Sequence, residues 1–193
     1  MQKLHKQGGF TLVEIAIVLV IIGLLLGGVL KGQEMIKNAE IRGLISDAQG
    51  LATAVYAYRD RYNAIPGDDL LGVTHTGLAS SNGTGDGVVG TGKGTGSTNN
   101  EDDNFFAHLR QVNLITGTGI TAPTHSLGGI VTAENGTYNF TGNLVCMSAI
   151  DGADAVIIES KEDDGDATSG TIQGHASTAT YTTGTAYKLC FEI

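Results

Sequence analysis

The sequence predicts an α+β fold: one long N-terminal α-helix packed on a small antiparallel β-sheet head. Three observations predict it. Residues 10–30 form a nearly uncharged run in which Glu14 is the only ionisable side chain. Beyond that run, apolar residues keep a three- and four-residue spacing as far as Tyr62. After Thr116 the pattern changes to short segments rich in β-branched and aromatic residues, with an alternating stretch at the C-terminus.

The apolar run comes first. As a helix at about 1.5 Å per residue it would be roughly 31 Å long, enough to cross the hydrocarbon core of a bilayer. Residues 1–9 carry Lys3 and Lys6 and no acid, which places this leader on the cytoplasmic side and the rest of the chain outside. A secretory signal is cut after its apolar segment, which is then lost. Here the candidate cut, Gly9-Phe10, precedes the apolar segment, so cleavage keeps the helix and gives it a free amino terminus. A carboxylate near the end of a spanning helix is costly unless it snorkels or finds a partner. The ammonium of Phe10 on a neighbouring copy would be such a partner for Glu14. The alternative is an ordinary signal anchor in which Glu14 is incidental.

Gly9-Phe10-Thr11-Leu12-Val13-Glu14, with basic residues before it and an apolar helix after it, resembles the processing site of type IV prepilins and type II secretion pseudopilins. The resemblance implies cleavage after Gly9 by a prepilin peptidase and methylation of the new amino terminus at Phe10. It also implies storage in the inner membrane and assembly into a helical homopolymer on a pilus or type II secretion platform. In that polymer Glu14 of an incoming subunit neutralises the Phe10 amine of its neighbour. Tip-type pseudopilins lack this acid, so the chain reads as an ordinary filament subunit. The resulting organisation is a leader 1–9, a membrane and filament-core helix 10–32, an amphipathic continuation 33–63 and a pilin-like head 64–193.

The continuation carries Ile41, Leu44, Ile45, Ala48, Leu51, Ala52, Val55, Tyr58 and Tyr62 on one stripe, with Arg42, Asp47, Gln49 and Asp60 off it. Glycines at 23, 27, 28, 32, 43 and 50 weaken the helix by about 1 kcal/mol each relative to alanine. They also suit close helix–helix contact, and they suit a segment that stretches as the subunit leaves the membrane. Pro66 disfavours helix at Ile65 and Gly67 permits a turn, so the helix ends there. Tyr62-Asn63-Ala64-Ile65-Pro66-Gly67-Asp68 resembles the phrase that follows the helix in many pilin-like proteins.

Residues 72–100 are rich in Gly, Thr and Ser and read as an exposed loop. Gly85-Asp86-Gly87-Val88-Val89-Gly90 fits the dinucleotide pattern G-x-G-x-x-G, and residues 87–93 fit the start of a phosphate-binding loop. The first lacks a strand before it and a helix after it, and the second has Gly94 where a Mg²⁺-binding Ser or Thr belongs. Nucleotide binding is not expected. Asn100 then caps a helix through Val112, with acids in its first turn and Phe105, Phe106, Leu109 and Val112 facing the head.

Residues 129–133, 137–140 and 144–147 are candidate strands, with Asn135-Gly136 as a hairpin turn. Asp151 caps a helix over 153–162, although Val156-Ile157-Ile158 fits a strand equally. Residues 187–193 form the last strand. Cys146 and Cys190, in a head outside the cytoplasm, close a disulfide or stay as two buried thiols; the resemblance favours the bridge.

Eleven basic against twenty acidic residues give a net charge of −9, and −11 once Lys3 and Lys6 leave with the leader. That argues against non-specific nucleic-acid binding, and no nucleic-acid partner is expected. The five histidines are scattered, without the H-E-x-x-H pattern, and no enzyme is expected. Asp163, Asp164 and Asp166 bunch oxygen ligands around Gly165, as Ca²⁺ needs, although the spacing is not that of an EF-hand and a solvated turn is the alternative. Major pseudopilins bind calcium in a late loop, but their ligands do not map onto these positions. The expected function is a type IV pilus subunit serving adhesion, motility or attachment. The alternatives are a type II secretion pseudopilin and a membrane-anchored binding module that never polymerises.

Overall fold

The computed structural model describes residues 11–90, 97 and 99–193. The predicted cut at Gly9-Phe10 lies outside the described residues, as does Lys93 of the phosphate-loop-like run. The chain divides into two compact units, the first ending at Ala39 and the second running from Glu40 to Ile193.

Helix α1 spans Leu12–Tyr62. It carries no proline, and its end is specified locally. Arg59 and Arg61 lie in the last turn, where cations suit the helix dipole. Asn63 adopts a left-handed φ of 51° while its N–H still donates to the Arg59 carbonyl at 2.8 Å, and Pro66 follows. In the first unit the described residues from Leu12 onward are all helix, and none is buried. In the second unit Ile41, Leu44, Ile45, Ala48, Leu51, Ala54, Val55 and Tyr58 are buried. The predicted stripe holds except near its end, where Ala54 is buried and Ala52 and Tyr62 are only half-buried. The buried face slants across the helix surface rather than running parallel to its axis.

Among the described residues, 72–90 are only in part the exposed loop that their composition predicts, with Thr84 to Val88 exposed. A short helix α2 spans Gly72–Thr76, and Ser81 and Val89 are fully buried. The reason is a set of internal hydrogen bonds to buried acids, described below. Helix α3, Glu101–Gln111, buries Phe105, Phe106 and Leu109 as expected. Asn100 occupies the N-cap, but its side chain makes no capping bond.

Four strands form one antiparallel sheet in the order β1-β2-β4-β3: β1 Val131–Asn135, β2 Asn143–Asp151, β3 Ile172–Gln173 and β4 Ala186–Glu192. The last strand therefore lies inside the sheet, not at its edge. The two-residue hairpin at Asn135-Gly136 and the strand over 137–140 do not form. Asn135 pairs with Asn143, and residues 136–142 loop out between them. Phe140 in that loop packs with Tyr138 and Leu144 on the Cys146–Cys190 disulfide, while Asn139 Nδ2 donates to the Thr168 carbonyl at 2.9 Å. Burying the Phe140 ring replaces the ladder bonds that a tighter turn would have made. Cys146 and Cys190 face each other across β2 and β4, both fully buried.

Strand β2 bulges between Met147 and Ile150, with Ala149 at a left-handed φ of 60°. It runs straight into helix α4, Gly152–Glu162. The choice between helix and strand here goes to helix. Asp151 caps it, accepting from Ala153 N at 2.9 Å with one oxygen and from Gly184 N at 2.9 Å with the other. A single core then joins α1, α3, α4 and the sheet, with Tyr58, Phe105, Leu109, Met147, Ile158 and Leu189 among its members.

Candidate functional site

The predicted assembly residue Glu14 sits in the first turn of α1. Its Oε2 accepts from both the backbone N–H and the hydroxyl of Thr11, each at 2.7 Å, and the Thr11 hydroxyl accepts from Glu14 N at 3.3 Å. This is a reciprocal capping box, in which two helix-end donors are satisfied by side chains three residues apart. The pattern Thr-x-x-Glu was legible in the sequence, and it gives Glu14 a local structural role besides any intersubunit one. Every large apolar residue from Leu12 to Leu30 is at least 46% exposed. By length and composition the helix suffices to cross a membrane.

The dinucleotide-like glycine run does cradle an anion, but the anion belongs to the chain. Asp68, 4% exposed, accepts from Gly85 N at 2.6 Å, Asp86 N at 3.1 Å and Gly87 N at 2.7 Å. Successive backbone N–H groups in such a turn form a nest for negative charge. Gly85 and Gly87 take φ of 75° and 90°, where side chains are strained, so the nest requires them. Glu101 closes the same loop, its Oε1 accepting from the N–H and hydroxyl of Thr84 at 2.7 Å each. The two buried acids order the segment that its composition suggests is an open loop.

The histidines brace the backbone. His108 Nδ1 accepts from Gly67 N at 3.0 Å, so Nε2 donates to the Ser81 carbonyl at 2.8 Å. Its burial lowers its pKa and keeps it neutral. His125 is tied in the same way, to Leu127 N and the Ser148 carbonyl. His75 Nδ1 lies 2.6 Å from Asp69 Oδ2, which also accepts from the Tyr58 hydroxyl at 2.7 Å. A cleft of about 370 Å³ adjoins this pair, and among the described residues its lining includes Tyr62, Asn63, Asp68, Asp69 and His75.

The Asp-rich turn divides its three predicted ligands. Asp163 and Asp164 converge with Glu159 of α4, each offering an oxygen within 4.8 Å of the others. Asp166 is not in that group. Its Oδ1 accepts from the N–H and hydroxyl of Thr168 at 2.9 and 2.7 Å. Asp163 Oδ2 accepts from Ile172 N at 2.7 Å, and Asp164 Oδ2 from the Ser169 hydroxyl at 2.6 Å. Glu159 is the residue that sequence reasoning missed. It is fully buried; its Oε1 accepts from the Tyr181 hydroxyl, and its Oε2 has no donor among the described residues. Nothing in the pattern of α4 distinguishes it from a surface acid, because its burial depends on residue 181 far along the chain.

Burial, with the charges of Asp163, Asp164 and Asp166 beside it, pushes the Glu159 carboxyl up to about 7, against an ordinary value near 4.5. Between those two values the folded state holds a proton that the unfolded chain has lost. Stability therefore falls as pH rises through that window. In calcium-free buffer, the melting temperature is expected to drop from pH 5 to pH 7.5, and Glu159→Gln should flatten the drop. Parallel pH profiles for the two proteins would contradict this account.

Comparison with known proteins places the N-terminal geometry. Residues 4–30 match the family described as the prokaryotic N-terminal methylation motif. A search of curated proteins gave no match, and a search of solved structures gave none. The matched residues enclose Gly9, Phe10, the Thr11–Glu14 capping box and the exposed apolar turns that follow. Through residues 4–30 the chain carries the N-terminal methylation motif that is the hallmark of type IV prepilins and pseudopilins.

Proposed function

We propose that the chain is a structural filament subunit, without enzymatic activity, of a type IV pilus. It is held in the inner membrane, cut after Gly9, methylated at Phe10 and polymerised through α1. The observation that carries this reading is the solvent problem of α1. The turns from Leu12 to Leu30 are apolar on every side and are exposed. Such a surface needs lipid before assembly and other copies of itself after it. The acidic head, with its loops pinned by their own carboxylates, then coats the outside. Adhesion, motility and surface attachment all fit such a filament. A secretion pseudopilus uses the same subunit design, and recovery of the polymer only within the envelope would favour it.

The capping box makes the usual alanine substitution at Glu14 ambiguous, since Glu14→Ala removes a helix cap and a charge together. Glu14→Gln keeps an oxygen acceptor for Thr11 and removes only the charge. If Glu14 neutralises the Phe10 amine of a neighbour, Glu14→Gln should abolish filaments while membrane levels of the processed subunit stay near wild type. Filaments of normal number from Glu14→Gln would reduce Glu14 to a cap and rule out its pairing with the Phe10 amine.

We also propose that calcium binds at the end of α4. Asp163 and Asp164 are kept from the predicted ligand set, Glu159 joins them, and Asp166 acts through its charge. The fit rests on the donor chemistry: three carboxylates, with one buried oxygen that no donor among the described residues satisfies. Backbone carbonyls and water would complete the six to eight oxygens that Ca²⁺ takes. Calcium at millimolar level should raise the melting temperature of the wild type at pH 7.5 and leave Glu159→Gln unchanged. Equal melting with and without calcium would remove the site.

A further inference from the structure

We propose that the head carries two unlike faces through which one copy of this chain docks on the next. The first is a cleft beside Leu70 and Leu71, with Asp86 at its rim. The second, at the other end of the head, is Ile130 with Arg42. The cleft of one copy takes Ile130 of its neighbour, and Asp86 pairs with the neighbour's Arg42. The proposal rests on the filament reading above and names a contact that the head adds to those of α1.

Leu70 and Leu71 are 54% and 53% exposed, and Val73 and Val88 follow at 38% and 40%. Elsewhere in the head, the exposed large apolar residues among those described stand one to a segment, at Tyr56, Ile120, Ile130 and Val156. The two leucines line the cleft together with Tyr62, His75, Gly85 and Gly87. Its walls are braced. Leu71 N donates to Asp69 Oδ1 and Val73 N to Asn82 Oδ1, each at 2.9 Å, while the amides of Gly85 and Gly87 are held by Asp68. The rings of Tyr62 and His75 stack at 4.8 Å. A backbone fixed in this way cannot turn its leucines inward, and a rigid apolar patch rimmed by polar residues marks a contact surface.

The cleft lies at the C-terminal end of α1, beside Tyr62, Asn63 and Ile65. The second face lies at the other end of the head, about 32 Å back along the helix from Asn63 to Arg42. There Ser126 Oγ donates to the Glu40 carbonyl at 2.6 Å, and a β-carbon at Gly43 would lie 3.1 Å from the same hydroxyl. The segment from Thr124 to Ile130 folds back on itself: His125 N donates to Gly129 O at 3.0 Å, and Thr124 bridges Ile130. Ile130 is tied to Ser148 through both its N–H and its carbonyl, and its side chain is 49% exposed. Arg42, beside Gly43 on α1, is exposed, as is Asp86 between the two glycines that line the cleft. Among the described residues neither Arg42 nor Asp86 has an ion pair. One end thus offers a cation with an isoleucine, and the other an anion with a leucine-lined cleft. Unlike faces that meet head to tail do not close on themselves, which is what an open helical polymer needs. Copies whose α1 helices pack side by side are related by a shift along the helix, and that shift brings one end of a head to the opposite end of the next.

The test uses the full chain in cells, read as subunit in sheared filaments. Arg42→Asp and Asp86→Arg should each lower that yield about tenfold, because each sets like charges against one another. The double variant, which restores opposite charges, should return the yield to within about twofold of wild type. Leu71→Cys combined with Ile130→Cys should give a ladder of disulfide-linked multimers when filaments are oxidised, and neither single variant should. If the charge variants lose membrane levels through misfolding, the cysteine pair decides alone. Wild-type yield from the single charge variants, no rescue in the double variant, or no ladder from the cysteine pair would overturn the docking faces, while wild-type filaments would keep the filament reading. A wild type that forms no filaments would remove both.

Discussion

One helix is asked to satisfy two solvents, and the rest of the structure follows from that. Up to Leu30, α1 is apolar on all sides and its large apolar side chains are exposed. From Ile41 it has a single apolar face, which α3, α4 and the sheet cover. Hydrophobic burial, at about 25 cal/mol per Å², stabilises only the second part within one subunit. On the proposed function, the first part takes its stabilisation from lipid or from neighbouring copies. The methylation motif, at residues 4–30, covers the apolar part of this division.

The head solves a different problem. It is rich in glycine and poor in aromatic residues, so its loops have little apolar surface with which to order themselves. It uses carboxylates instead. Asp68 gathers the amides of residues 85–87, Glu101 holds Thr84, Asp151 ties the start of α4 to Gly184, and Asp163 holds Ile172. Each acid is stabilised by the donors it orders, since hydrogen bonds to a charged acceptor are worth about 1.5–3 kcal/mol. Many of the head's acids are therefore internal braces. Glu159 breaks the pattern, because one of its oxygens is buried with nothing to accept from among the described residues. That is why a cation is proposed there and not at Asp68, whose oxygens are already occupied.

What the sequence made legible was periodic or local. The helix to Tyr62, the stripe from Ile41, the acid-led helix α3 and the Asp151 cap all follow from spacing or from side chains a few residues apart. The elements it hid depend on distant partners. Residues 136–142 leave the ladder because Phe140 covers a disulfide closed by residue 190. Residues 72–90 look like an open loop because Asp68 and Glu101, which order them, lie outside the glycine-rich stretch. At the candidate sites, Glu14 was visible through its motif, although its capping partner Thr11 went unread. Of the acidic turn, Asp163 and Asp164 were legible as a cluster, whereas Glu159 joins them only through the fold.

The central claim is that the cut falls before the apolar helix, so that the mature chain keeps α1 and begins at Phe10. Intact mass and N-terminal sequencing of protein from membranes and from sheared cell-surface material test it most directly. The account predicts a chain starting at Phe10, heavier by one methyl group, in both fractions, with the surface fraction in filaments. A chain that retains Met1, or one cut after the apolar helix, would contradict it.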